Sequence, residues 1–116
     1  MNPAIEEILS LDDIKKEIVS VPEWGKDITV VSMSAEERSD IEKRWGSKKN
    51  AEQHPAEFKH DVLSLSVKKD NGEPWGTADQ FKQLMKKNGK AIDRLFDAAL
   101  KVSGYTKEAV EEIAKN

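Results

Sequence analysis

Hydrophobic and polar residues alternate along the chain in patterns that change from helical spacing to strand spacing and back. Asn2 and Pro3 are typical of a helix N-terminus, and isoleucine and leucine then recur at helical spacing, which predicts a short helix over residues 3–10. Two β-branched runs follow, near residues 17–21 and 28–32, separated by a turn that holds proline and glycine. They predict an antiparallel β-hairpin, which must pack against other elements because a lone hairpin is marginally stable.

Capping boxes mark the beginning of two helices. In the boxes Ser34–Glu37 and Thr77–Gln80, the first side chain can accept from the backbone N–H of the last residue, and the last side chain can reach back. These boxes predict helices over residues 35–45 and 78–87, and Gly46 is a suitable end for the first of them.

The remaining segments differ in how clearly their hydrophobic pattern predicts a helix, a strand or a loop. Residues 90–103 have the strongest amphipathic pattern and predict a helix that ends at Gly104, while a last helix is predicted to begin after Thr106. Residues 56–68 fit a helix, but leucine and serine alternate in part of them as in a strand; the length of the segment favours the helix. Residues 46–55 hold one apolar side chain and predict an exposed loop.

Together these elements predict an α+β fold: a mainly α-helical small single domain over residues 1–116 with an N-terminal β-hairpin. Short connections between the helices predict a small bundle in the C-terminal half. The residues expected in the core are Ile41, Phe58, Val62, Phe81, Leu84, Leu95, Phe96 and Ala99.

Composition excludes several classes of protein. The 116 residues include no cysteine, which excludes disulfides and cysteine metal sites, and no apolar run approaches the ~20 residues of a membrane-spanning helix. Residues 1–11 lack a basic start, so no signal peptide is predicted and the cytoplasm is the expected location. With 19 basic and 22 acidic residues, the net charge of −3 provides no general attraction to nucleic acid or to an anionic membrane.

Candidate catalytic or cofactor chemistry is weak. His54 and His60 are six residues apart and do not share a helical face, so we interpret them as two solvated histidines. Several of the acidic pairs fall at helix beginnings, where negative charge is favourable. The six glycines are scattered and no Gly-Lys-Ser/Thr follows, which excludes a phosphate-binding P-loop. The sequence therefore predicts no enzyme, no metal site and no cofactor.

Basic and aromatic residues suggest an alternative class, a small nucleic-acid-binding or regulatory protein. Four lysine pairs are spread along the chain, and Trp45 and Trp75 lie close to two of them. Lysine beside an exposed aromatic ring is typical of single-strand binding, but each pair also has acidic neighbours, which favours an ordinary solvated surface. Convergence of the lysine pairs on one face with a tryptophan would favour the alternative.

Two tryptophans lie in turns. Trp24 and Trp75 each stand between a proline and a glycine, in Pro-Glu-Trp-Gly and Pro-Trp-Gly. A tryptophan in a loop either closes the edge of a core or anchors a partner. Closure of the core is the favoured interpretation of each, and exposure in the structure would favour the partner.

The order of these elements resembles that of a known family. The segment VSVPEWG at residues 19–25, the capped helix that begins with Ala-Glu-Glu-Arg, and the helix IDRLFDAAL at residues 92–100 are similar to tail assembly chaperones of bacteriophages with long, flexible, non-contractile tails. The resemblance extends over most of the chain and is weakest at residues 46–60.

The resemblance implies a non-enzymatic role in the cytoplasm of a bacterial host. Such chaperones bind the long helical tape measure protein, keep it soluble until tail tube subunits polymerise around it, and are absent from the mature virion. In many members a ribosomal frameshift produces a longer product that recruits the tail tube protein. The resemblance thus implies two protein partners and no cofactor, nucleic acid or membrane.

A partner surface and self-association follow as hypotheses. Large apolar residues of the C-terminal helices, Met85 with Phe81 and Phe96, could form a groove for an amphipathic client helix, although each of them could instead fill the core. The partner-binding candidates are Trp24, Trp75, Phe81, Met85, Ile92 and Phe96. A hairpin with an open edge and a client with many similar segments both favour a homo-oligomer.

Overall fold

The computed structural model describes residues 2–46 and 53–105, which form an α+β fold that is mainly helical, with the β-hairpin near the N-terminus. The fold class predicted from the sequence is therefore confirmed. In chain order the elements are α1 (Pro3–Leu9), β1 (Lys16–Val21), β2 (Lys26–Val31), α2 (Ala35–Trp45), α3 (Pro55–Ser66), β3 (Val67–Lys68), α4 (Ala78–Leu84) and α5 (Gly89–Val102). The predicted helix after Thr106 and residues 47–52 of the predicted loop lie outside the described residues.

The sheet has three antiparallel strands in the order β1-β2-β3. β1 and β2 form the predicted hairpin, connected by a short 3₁₀-helix, Pro22–Trp24. The third strand was not predicted: Val67 and Lys68 pair with Val30 and Thr29, although residues 56–68 were assigned to a helix. Helix α3 ends at Ser66, because Val67 adopts extended backbone and its side chain is buried beneath the sheet, only 4% exposed.

Both predicted capping boxes are confirmed at the beginnings of α2 and α4. Helix α2 covers the predicted residues, whereas α4 ends at Leu84, three residues earlier than predicted. After Leu84 the backbone N–H groups of Met85, Lys86 and Lys87 donate to carbonyl oxygens three residues back, so the chain tightens into a turn. This turn leads to Asn88, whose side chain accepts from two backbone N–H groups and caps α5.

Helix α5 ends in a Schellman motif. The N–H of Tyr105 donates to the carbonyl oxygen of Leu100 at 2.8 Å, and the N–H of Gly104 donates to that of Lys101 at 3.1 Å. Gly104 has a φ of +84°, a conformation that side chains rarely adopt, which confirms its predicted role as the helix terminator.

The core lies between the sheet and the helices: α5 packs on β1 and β2, and α3 packs on α4, α5 and α2. Of the eight predicted core residues, six are at most 9% exposed, whereas Phe58 and Leu84 are half-buried and pack against the core from its margin. An edge-to-face aromatic series joins three helices, since Trp45 contacts Phe58 with ring centroids 5.8 Å apart and Phe58 contacts Phe96 at 5.7 Å.

Helix α1 is an exception to this packing. Its N-terminus is as predicted, because the Asn2 side chain accepts from the N–H of Ala4 at 2.8 Å, but none of its residues is buried. Its isoleucines and Leu9 are instead 44–65% exposed. The predicted helix is therefore present, and its apolar stripe does not contribute to the core.

Candidate functional site

An apolar cleft lies between the sheet and α4, with a volume of about 250 Å³. It is bounded by the hairpin turn, strands β2 and β3, the turn before α4, and helices α4 and α5. Its lining residues are Trp24, Lys26, Ile28, Val67, Trp75, Gly76, Gln80, Phe81, Leu84 and Leu95. The two turn tryptophans thus border the same cleft, although they are far apart in the sequence.

The hairpin turn holds Trp24 at one side of the cleft. Gly25 has a φ of +62°, and its N–H donates to the carbonyl oxygen of Pro22 at 3.1 Å, which closes the turn. The neighbouring Glu23 accepts two hydrogen bonds from the guanidinium of Arg94 on α5, at 2.7 and 3.2 Å. This bidentate pair fastens the turn to the helix and holds the pKa of Glu23 below its ordinary value.

A second turn holds Trp75 at the opposite side. The indole N–H donates to the carbonyl oxygen of Lys68 on β3 at 2.9 Å, and Pro74 pairs with the same residue across an isolated bridge. Farther along this turn, the N–H of Lys69 donates to the carbonyl oxygen of Glu73 at 2.8 Å. The ring of Trp75 is thereby fixed by its polar edge while 44% of the residue stays exposed.

The floor of the cleft belongs to the core. Ile28, Val67, Phe81 and Leu95 are each 1–4% exposed and present apolar atoms to the cleft. Lys26 is the one charged residue among the lining residues of the described chain. Such a site offers contact area to an apolar side chain and few groups that could orient a polar substrate.

The structure brings together some of the predicted partner-binding residues and separates others. Trp24, Trp75 and Phe81 line the cleft. Ile92 and Phe96 are 3% and 9% exposed inside the core and lie outside the lining.

Met85, the sixth candidate, is half-buried, packs against the core and is likewise outside the lining. Sequence reasoning missed most of the floor, above all Val67, because its position depends on the unpredicted third strand.

The histidines differ from their interpretation as two solvated side chains. His54 is exposed and lies 2.8 Å from the carboxylate of Glu57. The side chain of His60 is only 13% exposed, with Nδ1 3.3 Å from a carboxylate oxygen of Asp61, so this part of the interpretation was wrong. Asp61 also accepts from the indole N–H of Trp45 at 3.0 Å, which draws the His60 region toward α2.

Metal-ligand clusters and membrane-spanning helices are both absent from the part of the chain that the structure describes. In residues 2–46 and 53–105, no three histidine, aspartate or glutamate side chains are grouped as metal ligands would be. None of the helices in these ranges is long and apolar enough to cross a membrane. Among the lysine pairs, Lys48 and Lys49 lie outside the described residues.

Comparison with solved structures finds a protein of the same fold. The tail assembly chaperone of bacteriophage HK97 superposes with a TM-score of 0.62 at 15% sequence identity, covering 92% of this chain and 100% of that chain. This chain has the fold of a phage tail assembly chaperone. The fold that the sequence resemblance implied is therefore confirmed over nearly the whole chain. Comparison with protein-family models and with curated proteins finds no match.

Proposed function

We propose that this protein is a phage tail assembly chaperone that binds the tape measure protein through the apolar cleft and keeps it soluble until the tail tube forms. The observation that carries the proposal is the fold shared with the HK97 chaperone across 92% of the chain. Because one fold can serve many functions, a second support is needed. The cleft supplies it, since its size and apolar lining suit a protein side chain.

The size of the cleft favours a side chain over a small molecule. Its volume of about 250 Å³ lies below the roughly 300–1,000 Å³ of typical small-molecule sites. An apolar floor beneath two tryptophan rings matches the central pockets that receive one large anchor residue at protein interfaces. An amphipathic helix would place one apolar residue in the cleft and its neighbours at i+3 and i+4 against Trp24 and Trp75.

The remaining parts of the proposal follow from the same role. Tail assembly takes place in the cytoplasm of the bacterial host, requires no catalysis or cofactor from the chaperone, and leaves it out of the mature virion. A longer frameshifted product would add contact with the tail tube protein. A homo-oligomer would present several clefts to one long client, which raises the overall affinity without any new contact.

The test is co-expression with a candidate tape measure protein, the product of a very long, coiled-coil-rich reading frame next to this gene, followed by affinity capture of the soluble complex. Trp75→Ala should reduce capture by roughly tenfold or more, since a central tryptophan anchor commonly contributes that much. Far-UV circular dichroism and a urea unfolding curve verify that the variant is folded. Capture by the wild type should change little between low and moderate salt, whereas binding to nucleic acid would weaken steeply.

Met85→Gln is the matched comparison, because Met85 belongs to the groove predicted from the sequence but not to the cleft. If the client binds in the cleft alone, folded Met85→Gln should capture as much client as the wild type. If the client binds a wider groove that extends to Met85, this variant should capture less. If folded Trp75→Ala captures as much client as the wild type, the cleft is not the binding site. If the wild type leaves the co-expressed client insoluble, the chaperone function is refuted.

A further inference from the structure

Basic side chains are concentrated beside one part of the apolar cleft. Lys26 is itself a lining residue, and the N–H of Lys87 donates to the carbonyl oxygen of another lining residue, Leu84, at 3.0 Å. Lys86 lies in the same turn, and Lys90 follows in the first turn of α5. We call these four exposed lysines, at positions 26, 86, 87 and 90, the basic edge of the cleft.

The hairpin turn connects Lys90 to the rest of the basic edge. Arg94 has the largest effect in lowering the pKa of Glu23, through its hydrogen bond, and the charge of Lys90 lowers this pKa further. Lys90 is therefore close to Glu23, which directly precedes Trp24 at the side of the cleft. The basic edge thus borders the part of the cleft that Trp24 and Leu84 line.

Carboxylates near the basic edge are engaged by other cations or point away from it. Glu23 accepts from Arg94 at 2.7 Å, and Asp93 accepts from Lys59 at 2.7 Å. Asp27 is adjacent to a lysine of the edge but points to the opposite face of the sheet, because side chains alternate along a strand. In the part of the chain that the structure describes, no lysine of the basic edge makes an ion pair.

The positions of these lysines are unfavourable for the stability of the fold. Lys86, Lys87 and Lys90 lie within five residues with no acidic residue between them, so their charges repel one another. The first turn of α5 holds no acidic residue, and the charge of Lys90 there opposes the helix macrodipole. Local conflicts of this kind are expected mainly at functional sites. A bound partner therefore explains the basic edge better than folding does.

We propose that the basic edge binds acidic side chains of the client helix whose apolar residue occupies the cleft. This inference rests on the proposed function and adds the charge that the client segment carries. Residues at i+4 and i+7 lie on the same side of a helix as the apolar anchor, about 6 and 10 Å along its axis. Aspartate or glutamate at these positions would meet the lysines while the anchor fills the cleft. The client segment is thus an acidic amphipathic helix.

The cleft and the basic edge contribute differently to this binding. Exposed ion pairs add little affinity, because water and salt screen them, but complementary charge speeds association and selects among partners. The apolar anchor therefore supplies most of the affinity, and added salt weakens capture only slightly. The basic edge discriminates against client segments that carry basic residues at the same positions, since like charges would then face each other.

Nucleic acid is a poorer occupant of the basic edge than an acidic helix. Proteins that bind single strands use a continuous basic groove that follows the phosphate backbone. Lys15 and Lys16 lie at the beginning of β1, where Lys16 faces Val31, whereas the basic edge lies by the hairpin turn at the other end of these strands. The lysine pairs at positions 15–16 and 86–87 therefore do not line one groove.

Zero-length cross-linking of the captured complex tests the contact directly. A carbodiimide joins a lysine amine to a carboxylate only when the two groups are in contact, and mass spectrometry identifies the joined residues. Lysines of the basic edge should be joined to aspartate or glutamate of the co-expressed candidate tape measure protein. Lys43 on α2 and Lys101 on α5 are exposed control lysines, which should be joined to the client far less often.

Two double variants with the same change of net charge measure the contribution to binding. Lys86→Gln/Lys87→Gln removes half of the basic edge and should lower client capture about threefold, as expected for two exposed ion pairs. Lys43→Gln/Lys101→Gln should leave capture unchanged. Urea unfolding should show no loss of stability in Lys86→Gln/Lys87→Gln, because the substitutions relieve repulsion, whereas a structural role would lower stability and capture together.

Charge reversal supplies a rescue experiment. Lys86→Glu/Lys87→Glu should lower capture further than the glutamine variant does, because like charges then face each other. Replacement of the cross-linked acidic residues of the client by lysine should restore capture by this variant and weaken capture by the wild type. A general effect of net charge would not produce this exchange of preference.

Equal cross-linking of the client to the control lysines and to the basic edge overturns the proposal, as does unchanged capture by Lys86→Gln/Lys87→Gln. Salt-sensitive binding of a single-stranded oligonucleotide that is lost in this variant would assign the basic edge to nucleic acid instead. Trp75→Ala tests the cleft separately. Reduced capture by Trp75→Ala with no effect of the lysine variants refutes this inference alone, whereas a wild type that captures no client refutes the proposed function as well.

Discussion

Two leucines of the core should respond differently to truncation, because only one of them lines the cleft. Leu63 on α3 is fully buried and is not among the lining residues, whereas Leu95 on α5 is 1% exposed and forms part of the cleft floor. Leu63→Ala and Leu95→Ala remove the same atoms from the same core. Any difference between their losses of unfolding free energy therefore reports how well the residues around each leucine can adjust to its removal.

The expected magnitudes follow from two contributions. Removal of three carbon groups from a buried position costs about 2.4 kcal/mol at ~0.8 kcal/mol for each group. An enclosed void of about 70 Å³ adds roughly 1.7 kcal/mol at ~24 cal/mol per Å³. Leu63→Ala should therefore cost about 4 kcal/mol.

At Leu95 the void opens into the existing cleft and is not an enclosed cavity, so most of the second contribution is lost. Leu95→Ala should cost about 2.5 kcal/mol, which is the transfer contribution with little cavity contribution.

Urea unfolding followed by far-UV circular dichroism measures both free energies. Fluorescence is less suitable, since Trp24 and Trp75 border the altered site. All proteins are compared at one low concentration, because self-association would stabilise the folded state in proportion to concentration. Equal costs for the two variants, or a larger cost for Leu95→Ala, would refute an open cleft at Leu95.

Two further predictions concern helix α5 and the residues that end it. Gly104→Ala should lower the free energy of unfolding by about 1 kcal/mol, because Gly104 has a φ of +84°. Gly89→Ala, at the beginning of the helix, should raise the free energy of unfolding by roughly 0.5 kcal/mol, because a Cβ there meets no other atom within 4 Å. Urea unfolding of the two variants measures both changes. Burial raises the pKa of Tyr105 above its ordinary value of 10.0, so the stability that depends on the neutral phenol is complete below pH 10 and is lost as the pH rises through the folded-state pKa. Because this is the only tyrosine, its absorbance at 295 nm should titrate at higher pH in the folded protein than in urea, and Tyr105→Phe should remove the part of the alkaline loss of stability that comes from this phenol.

The features that sequence reasoning predicted correctly are those encoded by neighbouring residues. The capping boxes at Ser34 and Thr77 act within one helical turn, so the beginnings of α2 and α4 could be assigned from the residues alone. The hairpin has a similarly local origin in two β-branched runs and a turn. Gly104 ends α5 for an equally local reason, its positive φ.

The features that were missed depend on residues far apart in the chain. Val67 and Lys68 form a strand because β2 is positioned to pair with them, and two residues carry no periodic pattern of their own. The burial of His60 likewise depends on how α3 sits against its neighbours. The cleft also depends on distant residues, since Trp24 and Trp75 line one cleft only because Trp75 is held by a hydrogen bond to Lys68 of β3.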